Sequence, residues 1–250
     1  AEMNNKKMAA NENQRVEKID VFLLIILTVW CLIIIFPFYE ALMASFVDGT
    51  AFAKNPLIII PEKLILDNYK IIFDFTNLVT GYKNTLIVVL IGVPIQLLMT
   101  VATGYVFSQD FPGKKWLFKV VIFTMFFSGG MIPTYLMMNS LGLLNTTWAL
   151  VLPGAVSVYN TIIMRTFFQS TVPEAIIESA KIDGATDIRI LWSVILPLSL
   201  PLLATFTLYY AVERWNEWYN AMIFCKTVTK WPLQNVLRTI INDVNMLATK

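Results

Sequence analysis

"ESAKIDGATDIRILWSVILPLSLP", residues 178–201, lies between two apolar runs, each long enough to cross a bilayer. Its opening carries Glu178, Lys181, Asp183, Asp187 and Arg189, and Leu196-Pro197 then lead directly into the next apolar run. A turn between two spans needs only a few residues. A charged, helix-forming segment interrupted by Gly184 asks for another purpose, and the flanking chain narrows what that is.

The chain has 250 residues, of which 57% are hydrophobic and 14% charged. Soluble domains carry about 25% charged residues. Here the apolar excess is gathered into long runs, the mark of a polytopic membrane protein rather than of a large soluble core. A formal charge of +2 leaves no nucleic-acid footprint, and there is no His. Cys31 and Cys225 sit in or beside apolar runs, which argues against a metal site or a disulfide framework and for buried free thiols.

A helix needs about 20 residues to cross hydrocarbon. Stretches of that kind predict five spans and an all-α fold: Val21–Phe46, Thr85–Phe107, Trp116–Met138, Trp148–Phe168 and Leu198–Phe224. Pro37 and Pro94 fall inside the first two, where neighbouring helices satisfy the freed carbonyls. "FFSGGMIPTY" (126–135) predicts a break in the third span, and Pro153-Gly154 predicts one in the fourth.

Basic residues in short loops set orientation. Lys6, Lys7, Arg15 and Lys18 precede span one; Lys114, Lys115 and Lys119 follow span two; Arg165, Lys181 and Arg189 follow span four. These predict a cytoplasmic N-terminal segment over 1–20, a transmembrane domain over 21–224 and an extracytoplasmic tail over 225–250. The loop at about 170–197 is then cytoplasmic.

Three readings fit that loop: a helix on the membrane surface, a catalytic loop, or a docking element for a soluble partner. Surface helices need one apolar and one basic face, whereas the apolar residues between Pro173 and Ile190 wrap too widely. No nucleophile–base pair, metal cluster or phosphate-binding Gly-rich loop accompanies it, which argues against an enzyme. Spacing decides: Glu178-Ser179-Ala180, Gly184, Val194 and Leu196-Pro197 resemble the "EAA" signature of binding-protein-dependent ABC importer permeases. Ser179 stands where Ala is usual. "MRTFFQSTVPEAIIESAKIDGA" (164–185) widens the likeness. "KNTLIVVLIGVPIQLLMTVATGYVFSQDFPGKK" (83–115), "IIIPEKLILDNYKIIF" (58–73), "ERWNEWYNAMIF" (213–224) and "WPLQNVL" (231–237) resemble the maltose/oligosaccharide class.

The resemblance implies an ABC importer type I-like transmembrane domain in a bacterial cytoplasmic membrane. A sixth span is expected in that family, and five are recognisable here. It also implies a second, different permease subunit, two cytoplasmic ATPase subunits that bind ATP and Mg, an extracytoplasmic binding protein and an oligosaccharide substrate. No cofactor is expected in this chain. Glu178, Ser179, Ala180, Asp183, Gly184 and Ala185 are the positions expected to couple to the ATPase, although Gly184 could serve only to end a surface helix. The same signature occurs in permeases for amino acids, peptides or metals. A secondary transporter or channel should instead show paired broken helices in two halves, a pairing the sequence lacks.

Further on, Glu213, Asn216, Glu217 and Asn220 follow i, i+3, i+4, i+7 spacing and would share one face of a continuous helix. A charge at mid-bilayer costs about 2.5–3.5 kcal/mol, so this face should meet protein or a water-filled path. With Tyr209 and Trp215 beside them, these groups suit a sugar pathway, and Arg214 could neutralise one acid. Alternatively, Glu213 and Arg214 pair with the second permease, and the aromatics form the outer belt.

Overall fold

The computed structural model describes residues 18–55, 57–61, 63–74 and 76–248, and every regular element among them is helical. The expected cytoplasmic segment therefore lies largely outside the described residues. Two compact units result, residues 1–74 and 75–250.

In the first unit, α1 (Lys18–Ala44) runs for 27 residues through Pro37. Its apolar side chains surround it instead of forming a stripe: Phe22, Leu24, Leu27, Trp30 and Ile33 are all exposed. Apolar character on every side is what a hydrocarbon solvent selects. Cys31 is exposed on this helix while Cys225 is buried, so the buried-thiol expectation holds for Cys225 alone. Past the end of α1 come α2 (Gly49–Lys54) and α3 (Asp67–Asp74). Asn68 Nδ2 donates to the carbonyls of Ser45 and Val47 at 3.0 and 2.9 Å, and the Ser45 and Tyr69 hydroxyls meet at 2.7 Å. Asn68 of the Asn-Tyr sequence pattern thus satisfies carbonyls that the end of a helix leaves open, and Tyr69 meets a hydroxyl beside them.

The second unit is organised by α4 (Thr76–Ser108), a 33-residue helix that contains Pro94. It is followed by α5 (Lys114–Phe126) and α6 (Met131–Ser140), bent by 109° at the break between them, where Gly130 adopts φ +84°. The expected break in the third span is therefore a sharp corner. Two pieces also replace the expected fourth span: α7 (Trp148–Val151) and α8 (Val158–Thr171), separated across Pro153-Gly154. Ser157 caps α8, its hydroxyl accepting from the Asn160 N–H at 3.3 Å.

Then come α9 (Glu174–Ile182) and α10 (Asp187–Ile190), a wide π turn over Leu191–Ile195, α11 (Leu196–Leu198) and α12 (Leu200–Trp215). Asp187–Leu198 meets α12 at 83°. Ser199 sits at this corner, fully buried, its hydroxyl donating to the Ile195 carbonyl at 2.7 Å. Beyond α12 lie α13 (Tyr219–Phe224), a 3₁₀ turn (Val228–Lys230) and α14 (Leu233–Ala248). By length and apolarity, α1 and α4 can each cross a membrane unbroken, and the two bent pairs can each make one further span.

The core lies where α4, α8 and α12 meet. Val93, Val101 and Tyr105 pack with Met164 and Phe168, and with Phe206 and Tyr210. Gly104 allows the closest approach: a Cβ there would lie 2.6 Å from Met164 Cγ. Hydroxyl pairs cross the same seam, Thr100 with Tyr210 at 2.7 Å and Thr103 with Thr161 at 3.0 Å.

Candidate functional site

Glu174–Ile182 forms a helix because Pro173 supplies its fixed φ just before the first turn and Gly184 ends it. Gly184 has φ +79°. Its N–H donates to the Lys181 carbonyl and that of Ala185 to the Ala180 carbonyl, each at 3.0 Å. This pair of bonds is a Schellman cap, which requires a left-handed residue at Gly184. The loop then restarts at once, with Thr186 Oγ1 accepting from the Arg189 N–H at 3.4 Å. Of the six coupling candidates, Ala180 and Ala185 face inward against the core cluster, while Glu178, Ser179, Asp183 and Gly184 are exposed. No heavy atom lies within 4 Å of where a Gly184 Cβ would be. One face of the segment is anchored and the other is open.

The anchor continues into the bundle. Tyr105 near the end of α4 donates its hydroxyl to the Asp187 carbonyl at 3.2 Å. Arg165 Nε donates to the Phe107 carbonyl at 2.9 Å while its guanidinium sits 4.7 Å from the Phe118 ring centroid. Cations at this end suit the negative pole of α4. Lys114 donates to Asp110 at 2.9 Å and so holds that carboxyl below its ordinary range.

The opposite end of α4 holds a second junction. Asn84 Nδ2 donates to the carbonyls of Thr229 and Trp231 at 2.8 and 3.0 Å, and Thr85 Oγ1 accepts from the Leu233 N–H at 2.9 Å. The "KNTL" and "WPLQNVL" stretches therefore close on each other. Thr85 and Tyr105 are about 30 Å apart along the helix at about 1.5 Å per residue, the thickness of a hydrocarbon core.

The polar residues between 213 and 220 do not share one helical face. α12 stops at Trp215, and Asn216 is its C-cap. Glu213 is exposed, its carboxylate accepting from Gln96 Nε2 at 3.1 Å. Glu217 turns instead to the start of α13, accepting from the Asn220 N–H and side-chain amide, both at 3.1 Å. Tyr209 is exposed and set edge-on to Tyr210, while Trp215 is half-buried against Tyr82.

Arg214, expected beside an acid, is 2% exposed and points into the unit. It donates to Gln96 Oε1 at 2.9 Å and to the carbonyls of Leu150 and Val151 at 2.7 and 3.3 Å. A pairing of Arg214 with a second permease is therefore corrected: its fork is occupied within this chain. Gly92 and Gly154 make the space, since a Cβ at either would lie 3.3 or 2.9 Å from the guanidinium group. Gln96, Asn84 and Thr85 organise these junctions, a role that nothing in the sequence alone marks.

Residues 77–244 match the family model of the binding-protein-dependent transport system inner membrane component. The chain belongs to this family. Among its relatives, protein LplC of Bacillus subtilis (strain 168) is 41% identical over 215 residues, covering 85% of this chain and 72% of that protein. The polygalacturonan/rhamnogalacturonan transport system permease protein YtcP of the same organism is 41% identical over 219 residues, covering 86% and 75%. The fold matches a chain of a solved bacterial ABC transporter involved in the import of the acidic polysaccharide alginate, with TM-score 0.84, 31% identity and coverage of 92% and 82%. A second match, to a chain of the alginate transporter in complex with an alginate pentasaccharide-bound periplasmic protein, has TM-score 0.56 at 16% identity and bears on the fold alone. The all-α, type I-like transmembrane domain and the membrane setting expected from the sequence accord with these likenesses.

Proposed function

We propose that this chain is a transmembrane permease subunit of an ATP-driven importer for oligosaccharides. It receives substrate from an extracytoplasmic binding protein and is driven by cytoplasmic ATPase subunits through residues 174–197. A second permease completes the pathway, the N-terminus is cytoplasmic, and ATP hydrolysis resides in the partners. The observation that carries the coupling is the two-faced segment after Pro173, which offers Glu178, Ser179, Asp183 and Gly184 outward while Tyr105 fastens its far side to α4. The glycan substrate is supported by the permeases it resembles, YtcP and the alginate transporter. Glu213 and Asn216, both exposed on or next to α12, remain the candidates for groups that line the path, with Glu217 and Asn220 serving their loop.

The test is uptake into liposomes that contain this chain with its partner subunits and binding protein. Oligosaccharide uptake should require ATP inside and persist when ion gradients are collapsed. Uptake that follows an ion gradient without ATP would replace this reading with a secondary transporter.

A further inference from the structure

Trp218, Gln234, Leu237, Arg238 and Ile241 line an open surface groove of about 290 Å³ between the link that joins α12 to α13 and the side of α14. The Arg238 guanidinium lies 3.8 Å from the Trp218 ring centroid. Among the described residues, Arg238 has no carboxylate within ion-pair distance. Gln234, which also lines the groove, donates its Nε2 to Asn216 Oδ1 at 3.4 Å. The Asn235 side-chain amide holds the Trp218 carbonyl at 3.1 Å, so the backbone that carries the indole is fixed to α14.

We propose that this groove is a subsite for one uronate ring of an acidic oligosaccharide. Three features meet there: apolar side chains at Leu237 and Ile241 for the C–H side of a sugar, the Gln234 amide for its hydroxyls, and a guanidinium, stacked on the Trp218 ring and without an ion-pair partner among the described residues, for its carboxylate. A guanidinium grips a carboxylate through two parallel N–H bonds, and stacking on an indole orients that fork. The groove also lies at the Asn84–Thr85 end of α4, across the bilayer thickness from the Tyr105–Asp187 contact, and so on the side from which substrate arrives if the coupling loop is cytoplasmic. This inference rests on the oligosaccharide-importer reading and narrows it to a charged substrate.

The test measures binding to the assembled permease–ATPase complex without binding protein, so that the latter's own selectivity does not enter. The probes are oligogalacturonate and its methyl ester of equal length, in which the carboxylates are neutralised. The native complex should bind the acid more tightly. Arg238→Gln should weaken the acid by about tenfold or more and leave the ester within about twofold, as loss of one charge-assisted contact predicts. Arg238→Lys should keep a reduced preference for the acid, and it decides the matter if the Gln variant does not assemble. Equal affinity for acid and ester in the native complex, or an equal loss of both in an assembled Arg238→Gln complex, overturns the proposal. The second result would mark Arg238 as a clamp between α12 and α14, or as a contact for a protein carboxylate. ATP-driven uptake of a neutral oligosaccharide without acid preference overturns this subsite alone. ATP-driven uptake of peptides with no glycan bound overturns the importer reading as well.

Discussion

Arg214 Nη1 lies 2.7 Å from the carbonyl oxygen of Leu150, in a helix only four residues long. The break at Pro153-Gly154 leaves carbonyls in that short helix without helical partners, and in hydrocarbon no water replaces them. Arg214 supplies the donors from 64 residues away. A charge in the membrane is here the partner of an interrupted helix.

Arg214→Ala should therefore destabilise the folded permease by about 2–4 kcal/mol, since buried carbonyls and Gln96 lose a charged donor together. Arg214→Lys should recover only part, because a point charge cannot span the two carbonyls and the amide. Thermal unfolding of the purified complex in detergent measures this. An unchanged midpoint for Arg214→Ala would show that the guanidinium bears no structural load.

Gly184 has a backbone duty and an exposed position, and two substitutions separate them. Asn accepts a left-handed backbone readily, whereas Ala is strained there by about 1–2 kcal/mol. If the open face docks the ATPase, Gly184→Asn should assemble normally yet lose most of its transport-coupled ATP hydrolysis. Full coupling in Gly184→Asn, with impaired folding in Gly184→Ala, would leave the residue a backbone role only.

At the crossing of α4 and α8, Gly104→Ala should cost about 1–3 kcal/mol, because the added methyl overlaps Met164. Met164→Ala in the same chain should restore much of that loss, a coupling expected only for touching side chains. Additive losses in the double variant would refute the close crossing.

Asn84→Ala removes both bonds from α4 to the segment before α14. Proteolysis between Cys225 and Trp231 should quicken several-fold while the coupling loop is unaffected. Unchanged cleavage would mean that the Thr85 contact with the Leu233 N–H suffices to hold the junction.

The parts of this fold that could be read from the sequence are those fixed by local composition. The apolar runs of α1 and α4 announce themselves, and the corner at Gly129-Gly130 follows from residue types that break helices. Gly184 likewise signals a helix end. What escaped is tertiary. Nothing in "ERWNEWYN" contains Gly or Pro, so a continuous helix was the natural reading. Yet α12 ends at Trp215, and the turn is held by Glu217, which accepts from the Asn220 N–H, and by Asn235 of α14, which donates to the Trp218 carbonyl. The proximity of Arg214 to Glu213 and Glu217 is legible in the sequence, but two of its three hydrogen-bond acceptors are backbone carbonyls, which leave no trace in residue identity. In α14, Leu233, Val236, Leu237, Ile240 and Ile241 follow helical spacing, but the stretch is too short and too polar to read as a span.

The buried corner at Ser199 gives the molecule the mechanics of a bell crank. Because the arm that begins at Asp187 meets α12 at 83°, thrust along one arm emerges as sideways swing of the other. At the corner the Ser199 hydroxyl satisfies the Ile195 carbonyl, and the arm's first residue is tied to α4 by Tyr105. If residues 174–197 couple to the ATPase as proposed, a small stroke near Gly184 is expected to reach α12 as a sideways displacement, without stretching any helix.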